Sequence, residues 1–160
     1  WWSYKHDTYQ KPNGETGDYW YGDKLAATLT VPVLPDGRLV LTIQQRYLSD
    51  KQSIEFPSGA TDPETALLDS AKRELHEETG MSAQEWVSIG EFGSLPGYFK
   101  AKTMVFIAKV NGQGEQQLDD TEDIEVIYRR ADEFQDMVER NEIWDSQTLA
   151  AWSLVHHYFI

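Results

Sequence analysis

Short apolar runs separated by turn residues are the dominant pattern from residue 25 onward. Two such runs, 25–34 and 39–45, flank Pro35-Asp36-Gly37, which is typical of a turn, so they are predicted to form a hairpin. Residues 54–56 form a short apolar stretch that stops at Pro57-Ser58-Gly59, and further strands are predicted at 86–92, 103–110 and 124–128.

Helices are predicted in three segments, which are 63–79, 131–140 and 146–159. Gly80 directly follows the first segment and is a typical C-terminal stop for a helix. Strands mixed with helices in this order predict a single sheet that is covered by helices on both faces.

The first predicted helix departs from its own apolar pattern. At about 100° per residue, Leu67, Ala71 and Leu75 fall on one stripe. Toward the C-terminus this stripe continues into carboxylates, which are Glu74, Glu78 and, beside them, Glu77. Buried charges in proteins are paired or coordinate metals, so the stripe indicates one of these two arrangements.

Clustered oxygen ligands of this kind suit Mg²⁺ or Mn²⁺, and Mg²⁺ commonly joins carboxylates to substrate phosphates. Periodicity alone leaves a second interpretation open. The glutamates can equally form a solvated acidic helix end with ordinary ion pairs, such as Arg73 to Glu77 at i,i+4 spacing.

Aromatic residues crowd residues 1–24, and they include Trp1, Trp2, Tyr4, Tyr9, Trp20 and Tyr21. Turn signals at Pro12-Asn13-Gly14 and Gly17-Asp18 predict a small hairpin. So many aromatic side chains need a cover, either the body of the domain or a second subunit. We therefore expect residues 1–24 to be a dimerisation hairpin and residues 25–160 to be the functional domain.

The chain is strongly acidic, with 27 Asp and Glu against 14 Lys and Arg and a formal net charge of -13. This charge argues against nucleic-acid binding as the main role, but a bound divalent cation would still allow a phosphate substrate. The absence of cysteine from the sequence excludes disulfides, thiolate metal sites and cysteine nucleophiles, and it is compatible with the cytoplasmic location that we expect. We expect neither a signal peptide nor a membrane-spanning segment.

The segment from Gly59 to Met81 resembles the signature of the Nudix hydrolases, G-x5-E-x7-R-E-U-x-E-E-x-G-U, in which U is apolar. Arg73 follows Gly59 by fourteen positions, as the signature requires. One fixed position differs, because Thr65 replaces the first glutamate and Glu64 stands one place earlier. Thr61 and Glu64 have the spacing of a capping box, which would preserve a structural role for Glu64.

The resemblance implies an α+β fold, an α/β/α sandwich around a mixed β-sheet. It also implies that Glu74, Glu77 and Glu78 bind Mg²⁺ or Mn²⁺, that Ser58 offers a backbone carbonyl to a metal, and that Gly59 lets the substrate approach. Arg73 would orient one of the glutamates.

Further motifs resemble the subgroup of ADP-ribose pyrophosphatases. By this resemblance Arg46, Glu55, Pro96 and Gly97 contact the substrate, Asp120 is a catalytic carboxylate, and Glu122 is another metal ligand. The residues alone leave open a strand-edge ion pair between Arg46 and Glu55, and a solvated charge run for the acidic residues 119–123. The general base is then either Asp120 or Glu77. The run 98–102, Tyr-Phe-Lys-Ala-Lys, departs from the polar, Glu-containing run of the subgroup.

The implied reaction is Mg²⁺-dependent cleavage of the pyrophosphate bond of ADP-ribose or a related nucleoside diphosphate sugar, which yields a nucleoside monophosphate and a sugar phosphate. The implied assembly is a homodimer in which residues 1–21 pack on the partner and help to hold the base. Three alternatives stay open: a pyrophosphohydrolase of RNA 5′ ends or nucleotides, a non-catalytic domain that binds nucleotide sugars, and an acidic interaction domain.

Overall fold

The computed structural model describes residues 2–159. The strands are β1 (Trp2–Gln10), β2 (Thr16–Lys24), β3 (Ala27–Val33), β4 (Leu39–Arg46), β5 (Lys51–Glu55), β6 (Ser58–Ala60), β7 (Met81–Gly93), β8 (Phe99–Lys100), β9 (Lys102–Gln113) and β10 (Ile124–Arg129). The helices are α1 (Leu67–Thr79), α2 (Ala131–Glu139) and α3 (Ser146–Val155), with short 3₁₀ turns at Tyr47–Ser49 and His156–Tyr158. Within these residues, every helix is too short or too polar to cross a membrane.

A seven-stranded mixed sheet is the centre of the fold. Five strands follow the order β10-β4-β3-β9-β7, while β5 pairs with β4 and β6 pairs with β3. Strands β3 and β9 run parallel, and the other neighbours in this sheet are antiparallel. The hairpin predicted between β3 and β4 closes through a single paired position, Val33 with Leu39.

Side chains that alternate along the strands form two cores on opposite faces of the sheet. On one face Leu29 and Val31 of β3 pack with α2 and α3, whereas on the other face Val40 of β4 packs with Leu75 of α1. Helices therefore cover both faces, as an α/β/α sandwich requires, and this confirms the fold class expected from the sequence.

The core between the sheet and helices α2 and α3 also holds in place the segment that leads to β6. Phe56 stacks on Phe134 of α2 with ring centroids 5.1 Å apart, and Phe134 meets Trp152 of α3 edge-on at 4.8 Å. The amide of Phe56 donates to the hydroxyl of buried Thr148, 3.2 Å away. Burial of aromatic rings of this size contributes strongly to stability. The backbone that enters β6 is therefore fixed from the core side.

Residues 2–24 form an antiparallel hairpin outside the main sheet. All nine positions of β1 pair with β2, and β2 also pairs in parallel with the two-residue strand β8. The turn lies at residues 12–14, as predicted, but the second expected turn at Gly17-Asp18 is wrong, because both residues pair within β2.

The start of α1 also differs from the prediction. The helix begins at Leu67 instead of residue 63. Its N-cap is Ala66, whose side chain cannot accept a hydrogen bond from the first turn, so the predicted capping box is wrong. The hydroxyl of Thr61 donates instead to the carbonyl of Ala26, 3.0 Å away, because residue 61 continues the pairing with β3. Asp62 then forms a turn with Thr65 before the helix starts.

The end of α1 matches the prediction. Gly80 closes the helix in the left-handed conformation, at φ 70°, where a Cβ atom would also collide with the backbone of Gly114. Of the other predicted helices, α2 ends one residue early and α3 changes into a 3₁₀ turn after Val155.

Candidate active site

Glu74, Glu77 and Glu78 of α1, which we call the carboxylate cluster, border one cavity of about 390 Å³, the carboxylate cavity. Its other walls are β6 and the acidic loop, by which we mean residues 114–123 between β9 and β10. The residues predicted from the sequence that line it are Ser58, Gly59, Arg73, Glu74, Glu77, Glu78 and Glu122. The structure thus brings together side chains from positions 58 to 122.

Glu78 is the most buried of these carboxylates, with 5% of the residue exposed. Its Oε2 accepts one hydrogen bond from the amide of Ser58, 3.2 Å away, and it makes no salt bridge within residues 2–159. Burial raises its pKa well above the usual range, and the nearby charge of Glu74 adds to this effect. Glu78 is a buried acid that lacks a compensating cation.

Arg73 joins the other two glutamates. Its guanidinium donates to Glu77 and to Glu74, each over 2.6 Å, and reaches the carbonyl of Ala60 at 3.3 Å. The ordinary i,i+4 pair considered from the sequence therefore exists, but as part of a larger cluster. Burial raises the pKa of Glu74, and the charge of Arg73 only partly offsets this effect.

The donor set fits a divalent cation. Three carboxylates, one of them buried without a salt bridge, offer the hard oxygen atoms that Mg²⁺ prefers. Within residues 2–159 no three acidic or histidine side chains already converge as a ligand group. We attribute this to Arg73, which occupies oxygens of Glu74 and Glu77.

Gly59 makes the close approach of β6 to α1 feasible. A Cβ atom at this position would overlap the carboxylate of Glu74. Gly59 pairs with Thr28 of β3, so the backbone has no freedom to retreat. A larger residue at position 59 would therefore displace the carboxylate end of Glu74 from its present position.

The acidic loop presents a different aspartate from the one predicted. All three acidic residues are exposed, but Asp119 and Glu122 line the cavity and Asp120 does not. The amide of Glu122 donates to the carbonyl of Asp119 over 2.9 Å, and the Glu122 carboxylate accepts from the Asp119 amide over 3.0 Å. This turn places Asp120 and Thr121 at its two central positions.

Arg46 and Glu55 form an ion pair beside a second cavity of about 420 Å³, which Tyr47 and Trp144 also line. The Nε of Arg46 donates to Glu55 over 2.7 Å, and Glu55 is only 3% exposed. This pair does not line the carboxylate cavity. Glu55 nevertheless precedes Ser58, which lines that cavity, by only three residues. The negative charge of Glu55 contributes to the raised pKa of Glu78.

Pro96 and Gly97 lie in the loop between β7 and β8, and they too are outside the lining of the carboxylate cavity. The carbonyl of Gly97 accepts a hydrogen bond of 2.8 Å from the hydroxyl of Tyr19 in β2. This loop is therefore held by the N-terminal hairpin.

Comparisons with known proteins agree with the motif. A family model described as the NUDIX domain matches residues 24–152. The chain is 27% identical over 142 residues to a protein named ADP-ribose pyrophosphatase from Bacillus subtilis (strain 168). The aligned region covers 88% of this chain and 77% of that protein. It is 26% identical over 147 residues to a methanol dehydrogenase activator from Bacillus methanolicus, covering 91% and 80%.

A crystal structure of an ADP compounds hydrolase superposes with a TM-score of 0.84 at 21% identity, over 97% of this chain and 85% of that chain. At this identity the superposition supports the fold alone. The NUDIX match covers most of the chain and contains every residue of the carboxylate cluster. The chain therefore belongs to the Nudix hydrolase family, as the spacing of its glycine, arginine and glutamates predicted.

Proposed function

We propose that the protein hydrolyses the pyrophosphate bond of ADP-ribose or a related nucleoside diphosphate sugar, and that it requires Mg²⁺ or Mn²⁺. The products are a nucleoside monophosphate and a sugar phosphate. The observation that carries the proposal is the burial of Glu78 beside Glu74 without a salt bridge. The relative named ADP-ribose pyrophosphatase supports the choice of substrate.

The residues that would hold the cation are Glu74, Glu77, Glu78, the backbone carbonyl of Ser58, and Glu122. When bound, such a cation neutralises phosphate oxygens and lowers the pKa of water. Arg73 orients Glu74 and Glu77 through its two hydrogen bonds of 2.6 Å. Gly59 leaves space for Glu74 and for the diphosphate.

Of the two candidate general bases, Glu77 is the better placed. Its carboxylate borders the cavity, whereas Asp120 would act only if the tip of the acidic loop turned inward. A base must come within hydrogen-bond reach of the water that it deprotonates. Glu77 would accept this proton after it exchanges its contact with Arg73 for one with the water.

Arg46, Glu55, Pro96 and Gly97 are proposed to contact the two ends of the substrate. The Arg46–Glu55 pair borders a cavity with aromatic walls, and Pro96-Gly97 lies under the N-terminal hairpin. These two places are outside the carboxylate cavity, as the ends of a substrate would be if its diphosphate lay at the glutamates.

The hairpin is proposed to pack on a second copy of the chain, in a homodimer whose hairpins help to hold the base. Opposite residues of β1 and β2 share a face, so Trp2, Tyr4 and Trp20 lie on one face and Tyr9, Tyr19 and Tyr21 on the other. Trp2 is 60% exposed, Tyr4 65% and Trp20 54%. Exposed aromatic clusters of this size commonly mark an interface.

A substrate panel tests the proposal. Purified protein is incubated with ADP-ribose, other nucleoside diphosphate sugars, nucleoside triphosphates and 5′-triphosphorylated RNA, in Mg²⁺, Mn²⁺ or EDTA. The products are separated by anion-exchange chromatography, and the nucleoside monophosphate and sugar phosphate are quantified. We expect turnover of the diphosphate sugars only with metal. Preferred cleavage of RNA or nucleoside triphosphates would support the first alternative, and binding without turnover would support a non-catalytic domain.

A further inference from the structure

The acidic loop contains no helix or strand, yet it presents Asp119 and Glu122 to the glutamates of α1. A loop of this kind has many accessible conformations, and most of them would carry these carboxylates away from the site. The contacts between the loop and α1 therefore determine how often the site is complete.

These contacts are made to the C-terminal end of α1, where the last carbonyls of a helix lack partners within the helix. The carbonyl of Glu77 accepts from the amide of Gln117 over 2.9 Å. The carbonyl of Glu78 accepts from the side-chain Nε2 of Gln116 over 2.6 Å. The loop thus caps the same two residues whose side chains belong to the carboxylate cluster.

Gln116 makes a second contact at the other end of the loop. Its Nε2 also donates to the carbonyl of Ile124, the first residue of β10, over 3.1 Å. An amide nitrogen carries two hydrogens, and this geometry uses both. Gln116 directly precedes residues 117–123, the segment that carries Asp119 and Glu122, and Ile124 directly follows it. The Gln116 side chain therefore connects both ends of this segment to the end of α1.

We infer that Gln116 is a positioning residue, which holds the acidic loop closed against the carboxylate-bearing end of α1. The inference rests on the proposed hydrolytic function for its kinetic consequence, but the closed loop itself can be tested without activity. Gln116 does not line the cavity and has no contact with reacting atoms, so it acts through the loop that it holds.

Replacing Gln116 with methionine tests the inference, because methionine has a similar length and no amide hydrogens. Gln113→Met is the matched control, since Gln113 is an exposed residue at the end of β9. Gln116→Met removes two hydrogen bonds at once, so we expect its kcat to fall roughly tenfold. KM should stay within about twofold and the Mg²⁺ concentration for half-maximal rate should rise, while Gln113→Met should behave like wild type.

Two further measurements separate positioning from a general loss of structure. In metal-free protein, amide hydrogen exchange of residues 117–123 should accelerate in Gln116→Met, while exchange in the middle of α1 stays unchanged. In a Glu122→Gln background, Gln116→Met should have much less effect on kcat than it has alone, since both changes remove the same loop function.

Unchanged exchange in residues 117–123, unchanged kcat, or an undiminished effect in the Glu122→Gln background would each overturn the inference. If the wild-type protein hydrolyses none of the diphosphate sugars, the proposed function fails instead. The exchange measurement would then still decide whether Gln116 closes the loop.

Discussion

Replacement of Glu78 by glutamine should stabilise the metal-free protein and abolish its stabilisation by Mg²⁺. Glutamine keeps an oxygen that can accept from the Ser58 amide, so the packing is preserved. In the wild type, burial raises the pKa of the Glu78 carboxyl, and each unit of such a shift corresponds to about 1.4 kcal/mol. The charged carboxylate therefore costs folding free energy at neutral pH, and the neutral amide removes this cost.

The sign of the pH dependence follows from the raised pKa. The stability associated with protonated Glu78 is fully present below its unfolded-state pKa of about 4.3, and it is lost as pH rises through the folded-state pKa. The wild type without metal should thus lose stability relative to Glu78→Gln as pH increases above about 4. A constant difference between the two proteins over this range would contradict the reasoning.

Bound Mg²⁺ should make the wild type more stable than Glu78→Gln, the reverse of the order expected without metal. A cation that binds only the folded protein at a hundred times its Kd adds about 2.7 kcal/mol, which for a chain of this length raises Tm by roughly 5–10 °C. Thermal unfolding followed by circular dichroism in EDTA and in Mg²⁺ measures both effects. Equal Mg²⁺ shifts in wild type and Glu78→Gln, or a less stable variant in EDTA, would refute the assignment of Glu78 as a metal ligand.

The remaining predictions concern Gly59, the acidic loop and the N-terminal hairpin. Gly59→Ala should reduce kcat at least tenfold, because its Cβ atom would displace the Glu74 carboxylate, and a crystal structure with unmoved Glu74 would contradict this explanation. Asp119→Asn should lower kcat more than Asp120→Asn does, since only Asp119 lines the cavity, and steady-state kinetics showing the opposite order would restore Asp120 as the catalytic carboxylate. Deletion of residues 1–24 should convert a dimer into a monomer in light scattering and raise KM, whereas a truncated protein that stays dimeric with its KM intact would exclude both roles of the hairpin.

Much of the fold could be predicted because apolar spacing is a direct consequence of burial. Strands β3, β4, β7, β9 and β10 and all three helices follow from their alternation or their helical period, whereas the short strands β5 and β6 do not. The exceptions are contacts between distant residues. Nothing in the local sequence indicates that Phe99 pairs with Gly22, or that Thr61 is bound to Ala26 and so delays the start of α1.

The carboxylate cluster was predictable for a different reason. A helix fixes the relative directions of Glu74, Glu77 and Glu78, so their spacing alone places them on one side. The acidic loop has no such period. Whether Asp119 or Asp120 faces α1 depends on the turn from Asp119 to Glu122 and on the contacts of Gln116, and neither is visible in a run of acidic residues.

The central claim is that the glutamates at the end of α1 form a metal-dependent site that cleaves nucleoside diphosphate sugars. It is tested most directly by ³¹P nuclear magnetic resonance of ADP-ribose incubated with Mg²⁺ and either wild-type protein or Glu78→Gln. We predict that the wild type converts the diphosphate signals to those of AMP and ribose 5-phosphate, that EDTA stops this conversion, and that the folded variant is at least about a hundredfold slower. Conversion by Glu78→Gln at the wild-type rate, or by the wild type in EDTA, would contradict the claim.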